Sequence, residues 1–251
     1  MGYLREQRAI ESRLQRNREA WDPHLAASRQ AVHEVIQRCP RRRTALVLGA
    51  GLLNDLPLTE LATQFEQVAL ADILHLPKSR RRAQAMGGSV TCLDFDCTGV
   101  VSALWQKGRK VDSGQAEQLF LHSSPELSAC ITKECDLIVS MNLASQLGNL
   151  PADWLMSGCL REEGFSLRLR RVAALRHVEW LRGMPGMRLL VTDRAVVVRE
   201  RDGSESEREV IFGSDDIEPP QQTWIWRLAP IPEWDTDHHL ELEVGMWVFG
   251  D

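Results

Sequence analysis

The chain has 251 residues, of which 43% are hydrophobic and 26% charged, and its formal net charge at pH 7 is −5. This composition is typical of a globular protein with one main core, while the acidic charge disfavours a broad nucleic-acid surface and the lack of a long apolar run disfavours a membrane span. The six cysteines form no Cys-x-x-Cys pair and no disulfide spacing, which predicts reduced thiols and a cytoplasmic location.

The first 40 residues predict a helical segment, because apolar residues recur there at helical spacing among Arg, Glu, Gln and Ala. Asp22 and Pro23 interrupt this pattern. Since aspartate is a good cap and proline suits a first helical turn, we expect two helices that break near Trp21 and His24. Such a segment is suited to form a lid over a neighbouring site.

The most informative stretch runs from Ala45 to Asp55, where an apolar strand leads into a turn with Gly49 and Gly51. Glycine lets a ligand approach the backbone closely, because no Cβ atom blocks it. We expect Asp55 to cap the helix that follows. The next strand ends on Asp72, about twenty residues after the turn, where nucleotide-binding βαβ units place an acid for ribose hydroxyls.

Two more predicted strands end in polar residues. One ends at Asp94 and is followed by Asp96 and Cys97, and the other covers residues 135–141 and precedes Asn142. The second of these is apolar on both faces and therefore predicts a central parallel strand. Because the carboxyl ends of parallel strands meet at one edge of a sheet, we expect these residues to lie near the glycine turn.

The pattern changes in the last third of the chain. Residues 167–182 predict a helix and residues 187–193 a buried strand, which completes an alternation typical of a doubly wound parallel sheet. A small hairpin is predicted near residues 195–213. Residues 223–228 and 240–249 then predict a terminal antiparallel strand pair.

Five parallel strands followed by an antiparallel pair, with acids at matching strand ends, resemble the class I S-adenosylmethionine-dependent methyltransferases. The resemblance implies an α/β fold over residues 41–251, a three-layer doubly wound Rossmann-like sheet that is mostly parallel. It also implies that Gly49, Ala50 and Gly51 pack beneath the methionine part of S-adenosylmethionine, and that Asp72 holds its ribose.

The other strand ends receive roles from the same resemblance. Asp96 and Cys97 would contact the adenine, with Asp94 as the competing acid, and Asn142 would face the cofactor and the incoming acceptor. The implied reaction is methyl transfer to an unidentified small-molecule or protein acceptor. The sequence disfavours nucleic acid as the acceptor, because no NPPY-like motif follows the fourth strand.

Histidine is the residue expected to accept a proton from the acceptor, because its pKa is near neutral. We single out His24 and His75 as catalytic candidates, and we also note His177. The acids and histidines between Asp235 and His239 crowd a predicted turn, so we expect no metal site there.

Two alternatives stay open at this point. An NAD(P)-dependent oxidoreductase would use the same turn and the same ribose acid, although Asn54 stands at the third glycine position of its GxGxxG motif. A non-catalytic binding or scaffold protein would keep the fold, which agrees with the absence of an acid at the start of the glycine motif.

Overall fold

The computed structural model describes residues 1–127, 135–158 and 160–250. The helices of these residues are α1 (Tyr3–Arg16), α2 (Arg18–Arg38), α3 (Leu58–Gln64), α4 (Pro77–Gln84), α5 (Val101–Lys107), α6 (Ser113–His122), α7 (Asn149–Met156) and α8 (Phe165–Arg182). The strands are β1 (Thr44–Leu48), β2 (Gln67–Asp72), β3 (Val90–Asp94), β4 (Cys135–Met141), β5 (Met187–Glu200), β6 (Glu205–Val210), β7 (Gln222–Ala229) and β8 (His238–Phe249).

Within the described residues, the strands form one eight-stranded sheet in the order β3-β2-β1-β4-β5-β8-β7, with β6 paired to β5. Strands β1 to β5 run parallel, β8 runs antiparallel to β5, and β7 runs antiparallel to β8. The predicted fold class, a mostly parallel Rossmann-like sheet with an antiparallel C-terminal pair, is confirmed. The chain order reverses between β1 and β4, and open α/β sheets bind ligands at such a switch point.

The sheet is the middle of three layers, because successive side chains of each strand point to opposite faces. From β1, Ala45 and Val47 pack in one core with residues of α2 and α3. Leu46 and Leu48 pack in the other core with residues of α8. All five residues of β1 are buried, as expected for a parallel strand covered on both faces.

The two N-terminal helices are present, but the predicted break near Trp21 and His24 is wrong. The break lies at Asn17, whose backbone N–H and side-chain Nδ2 both donate to a carbonyl in the last turn of α1, at 2.9 and 3.1 Å. Pro23 lies inside α2. Trp21 and His24 are buried, and the Trp21 indole donates to a carbonyl of β7 at 2.9 Å. This packing outweighs the one helical hydrogen bond that proline removes.

The predicted hairpin near residues 195–213 is present, but its first arm is not a separate strand. It is the second half of β5, a continuous strand of 14 residues. Strand β8 pairs with β5 from Arg188 to Glu200. The pairing resumes after a register shift between Asp193 and Ala195. Pairing with this long neighbour keeps the chain extended past Asp193, where the sequence pattern predicted an end.

No helix in the described part of the chain is long and apolar enough to cross a membrane. The same residues contain no group of three His, Cys, Asp or Glu side chains placed to hold a metal ion. Cys39, Cys92, Cys97 and Cys135 are free thiols. Cys130 and Cys159 lie outside the described residues.

A candidate ligand cavity at the carboxyl edge of the sheet

A cavity of about 350 Å³ lies at the carboxyl ends of β1, β2 and β4, bordered by α1 and the start of α2. Its volume is within the range of small-molecule sites, roughly 300–1,000 Å³. Most of the residues predicted to bind a cofactor or an acceptor line it. They are Gly49, Ala50, Gly51, Asp72, Asp96, Cys97, Asn142 and His24.

Asp94 and His75 do not line the cavity. The Asp94 carboxylate is exposed and accepts two hydrogen bonds from Arg80 Nη2, at 2.6 and 2.8 Å. His75 is buried, with Nε2 3.0 Å from the Leu93 carbonyl oxygen. His177 also lies elsewhere in the core, where burial lowers its pKa to about 4.

The glycine turn is shaped by its own chain neighbours. Gly49 and Gly51 have φ angles of 75° and 47°, a region that glycine enters at little cost. A Cβ atom on Gly49 would lie 2.8 Å from the carbonyl oxygen of Met141, so the turn closes directly against the end of β4. Gly51 N–H donates to Asp72 Oδ2 at 2.7 Å, which fixes the turn to the end of β2.

Asp72 is buried, and its second oxygen faces the helix that borders the cavity. Gln7 Nε2 of α1 donates to Asp72 Oδ1 over 3.4 Å, which is a long hydrogen bond. Burial raises the pKa of Asp72, and the Gly51 amide opposes that rise. Tyr3 of α1 is close enough that Asp96 and Asp72 add to the burial that raises its own pKa. Helix α1 therefore reaches over both acids.

Asp96 lines the cavity and also stabilises the loop after β3 through hydrogen bonds. Oδ1 accepts from the backbone and hydroxyl of Thr98 at 2.8 and 2.5 Å, and Oδ2 accepts from the Val101 amide at 2.8 Å. These bonds hold the loop that leads into α5. Burial raises the pKa of the neighbouring Cys97 thiol, so that side chain is neutral.

Asn142 follows β4 with a φ of 49°, a left-handed conformation that asparagine tolerates better than most residues. Its backbone N–H donates to Val191 at 2.8 Å, and its side-chain Nδ2 donates to Asp55 Oδ2 at 2.9 Å. Asn142 Oδ1 is buried and has no hydrogen-bond partner among the described residues. An acceptor oxygen of a residue in the cavity wall is thus left unpaired among the described residues.

The prediction that Asp55 caps α3 is wrong. Pro57 occupies the cap position, and no side chain caps this helix. The Asp55 carboxylate instead lines the cavity beside Asn142. Burial raises its pKa, and the Asn142 hydrogen bond opposes the rise. An aspartate four residues after a glycine turn suits either role, so the sequence had no signal that separated them.

Aromatic rings from both ends of the chain form another wall. The His24 ring stacks on Trp226 with 4.0 Å between ring centroids and 4° between ring planes. Trp21 meets Trp226 edge-on at 4.8 Å. The indole N–H of Trp224 donates to His24 Nδ1 at 3.0 Å.

This indole contact determines the proton on His24. A tryptophan N–H can only donate, so Nδ1 accepts and the neutral ring carries its hydrogen on Nε2. Burial lowers the pKa of His24 to about 3. Nδ1 is therefore occupied, and Nε2, which lies 3.2 Å from Asn142 Nδ2, already carries a hydrogen at neutral pH. The geometry suits His24 to positioning better than to accepting a proton.

The cavity wall is strongly acidic. Its carboxylates in the described chain are Glu6, Asp55, Asp72, Asp96 and Asp153, and no Lys or Arg of the described residues lines it. The basic side chains of this region, Arg18, Arg29, Lys78 and Arg82, line a neighbouring cleft instead. A wall of this charge favours cationic ligands and repels phosphates.

No model of a known protein family matches the sequence, and no curated protein matches it. Among solved structures, the chain is similar to a Burkholderia thailandensis 1,6-didemethyltoxoflavin-N1-methyltransferase with bound 1,6-didemethyltoxoflavin and S-adenosylhomocysteine. The identity is 14% and the TM-score 0.44, over 95% of this chain and 86% of that chain.

The chain is also similar to the glycopeptide N-methyltransferase MtfA complexed with S-adenosyl-L-methionine, at 15% identity and a TM-score of 0.36, over 86% of this chain and 76% of that one. It is similar as well to the 23S rRNA methyltransferase ErmE, at 12% identity and a TM-score of 0.30, over 86% of this chain and 67% of that one. Likenesses this distant say nothing about what this chain binds.

Proposed function

We propose that this protein binds S-adenosylmethionine in the cavity and transfers its methyl group to a small-molecule or protein acceptor. The charge of the wall carries the proposal. S-adenosylmethionine has a sulfonium and an ammonium against one carboxylate, so its net charge is positive. The acids described above complement that charge, and no Lys or Arg of the described wall opposes it.

The same wall disfavours the NAD(P)-dependent alternative. A dinucleotide carries a pyrophosphate that rests on the first turn of the helix after the glycine motif. Here α3 begins only at Leu58 and has seven residues. The carboxylate of Asp55 lines the cavity before that helix starts, where it would repel a pyrophosphate.

The residues of the wall fit the parts of S-adenosylmethionine. Asp72 Oδ1, which has a long contact to Gln7, is an acceptor for ribose hydroxyls beside the turn of Gly49 to Gly51. We assign Asp96 and Cys97 to the adenine end, with Asp96 keeping its bonds to the loop.

Near the acceptor, we assign Asn142 to orientation through its free Oδ1 atom. The bound sulfonium supplies an activated methyl group, so the protein needs mainly to align the acceptor and to exclude water. Within residues 1–40 we assign α1 as the lid, because Tyr3 and Gln7 line the cavity above the sheet edge.

Calorimetry on the full chain tests the proposal. We expect S-adenosylhomocysteine to bind and NAD(H) to show no heat, because the acidic wall rejects the pyrophosphate. Binding of NAD(H) without S-adenosylhomocysteine would overturn the proposal in favour of an oxidoreductase. If neither binds, the non-catalytic scaffold replaces it.

A matched pair of variants then tests the site. Asp72→Asn removes one charged acceptor from the cavity, so we expect S-adenosylhomocysteine affinity to fall by roughly tenfold, the size of a hydrogen bond to a charged group. Asp94→Asn makes the same change at the end of β3, outside the cavity. Its affinity should match the wild type, and equal losses in both variants would contradict the site.

A further inference from the structure

We infer that the methyl acceptor is an amine carried on an aromatic or apolar group. The inference rests on the proposed function and names the acceptor class of the same cavity. It comes from three features of the wall: free oxygen acceptors, a carboxylate beside them and a neutral aromatic surface.

The first feature is a set of buried amide oxygens without partners. The cavity is lined by Gln7, Asn142 and Asn149, whose amide oxygens are buried and have no hydrogen-bond partner among the described residues. Buried polar atoms normally find a partner, because leaving one unpaired costs about 1–3 kcal/mol. A ligand rich in N–H donors satisfies these oxygens, whereas a carboxylate or a phosphate adds more acceptors.

The second feature is the charge at the acceptor end. Asp72 and Asp96 are assigned to the cofactor, which leaves Asp55 as the carboxylate next to Asn142. The Asn142 amide donates to it, while Arg29 acts on it from the neighbouring cleft and Asp72 from the cavity. An ammonium group beside Asp55 gains a favourable ion pair in a place shielded from water.

The third feature is the stack of His24 and Trp226, with Trp21 against its edge. Its neutral rings offer an apolar surface for a flat or aliphatic group, and aromatic faces also attract cations. The indole Nε1 of Trp226 is buried without a partner among the described residues, so this wall also holds one donor.

The reaction balances with these groups. The bound ammonium gives one proton to the Asp55 carboxylate and becomes a neutral amine. The amine lone pair then forms the N–C bond to the methyl carbon while the C–S bond breaks, and the electron pair of that bond stays on sulfur. The product is a methylated ammonium with S-adenosylhomocysteine, and Asp55 returns its proton to solvent.

The test uses matched probes on the full chain saturated with S-adenosylhomocysteine. Calorimetry compares three sets, each with an amine, an alcohol and a carboxylate on one framework: tryptamine, tryptophol and indole-3-propionate, then the phenyl and butyl equivalents. We expect at least one amine to bind at least tenfold more tightly than its alcohol, and no carboxylate to bind. Binding of a carboxylate as tight as its amine, or failure of every amine, overturns the inference.

An isosteric variant locates the effect. Asp55→Asn keeps an oxygen facing the Asn142 amide and removes the charge, so the amine should lose about tenfold in affinity while the alcohol changes less than threefold. Glu207→Gln removes an exposed charge on β6 and should change neither. An unchanged amine affinity in Asp55→Asn would overturn the assignment of Asp55. Because S-adenosylhomocysteine binding is measured first, a failure of the proposed function is seen separately.

Discussion

At the scale of single residues, folding changes the pKa of the Asp193 carboxyl group. It is 3% exposed, and its Oδ2 accepts from Ser145 Oγ at 2.8 Å. Its Oδ1 has no hydrogen-bond partner among the described residues. Burial raises the pKa of Asp193 to about 6, against opposition from the Ser145 hydrogen bond and from Arg170.

The sign of the pH effect follows from that raised pKa. The protonated form of Asp193 favours the folded state, so its contribution is complete below about pH 3.8 and is lost as the pH rises through about 6. We expect urea unfolding of the wild type to lose about 3 kcal/mol relative to Asp193→Asn between pH 3.5 and pH 7. Asp215→Asn, at an exposed position, should follow the wild type, and a constant difference for Asp193→Asn would contradict the prediction.

The same scale shows where residue-level prediction stops. The sequence pointed to Asp72 and Asn142 because strand ends in a parallel sheet share one edge, and both line the cavity. It misjudged Asp55, since an aspartate near a helix start looks the same whether it caps the helix or faces a ligand. Asp94 and Asp96 lie two residues apart, and spacing alone does not determine that Asp96 lines the cavity while Asp94 pairs with Arg80.

Among the elements, α1 is held unlike the others. None of its residues is buried. Ile10 and Leu14 are half-buried against the core, and the polar attachments are Gln7 to Asp72 and Lys78 to the Glu11 carboxylate, at 3.0 Å for the latter pair. Arg16 also forms a bidentate ion pair with the carboxylate of Glu233, which follows β7. A helix fixed by surface contacts opens more easily than one fixed by a core.

Glu233 provides a direct test of this lid. It accepts from Arg16 Nε and Nη2 at 2.8 and 2.6 Å, and Arg13 lies 3.5 Å away. We expect Glu233→Gln to speed dissociation of S-adenosylhomocysteine by about two- to fivefold, the value of an exposed ion pair. Stopped-flow measurement gives the rate, with Glu207→Gln as the charge-matched control. An unchanged rate would show that α1 does not gate the cavity.

Prediction of whole elements succeeded where the apolar signal is continuous. β1 and β4 were predictable because both faces of each strand are covered, which leaves unbroken apolar runs. The position of the first helix break was not predictable in this way. Pro23 is a strong local signal for a break, but the packing of Trp21 and His24 overrides it. The predicted strand was shorter than β5 for a related reason. The second half of β5 is extended because it pairs with β8, which lies about 50 residues later in the chain and leaves no local signal.

At the scale of the whole molecule, the N-terminal and C-terminal parts close on each other. Helix α2 packs on the sheet, and the Trp21 indole donates to the backbone of β7, 207 positions later in the chain. The residues of α2 that are buried in this contact and its neighbours are Trp21, His24, Leu25, Ser28, Ala31, Val32, Val35 and Ile36.

Two deletions should therefore have unequal effects. Removal of residues 1–16 takes away only partly buried side chains such as Tyr3, Ile10 and Leu14, so we expect a cooperative thermal transition within a few degrees of the wild type. Removal of residues 1–38 exposes the core beneath α2, at roughly 2–5 kcal/mol for each large side chain against a total of about 5–15 kcal/mol. Circular dichroism should then show no cooperative transition, and similar melting of both deletions would refute this account.

The stack of His24 on Trp226 also sets when the protein becomes competent during its synthesis. The glycine turn and Asp72 are translated early, yet their cavity lacks a wall until the ribosome has added residue 226 and its strand has paired. Domains that fold during translation acquire their structure in units as the chain emerges. The pocket is incomplete until Trp226 has been translated and its strand has paired, so we expect full ligand binding only after that point.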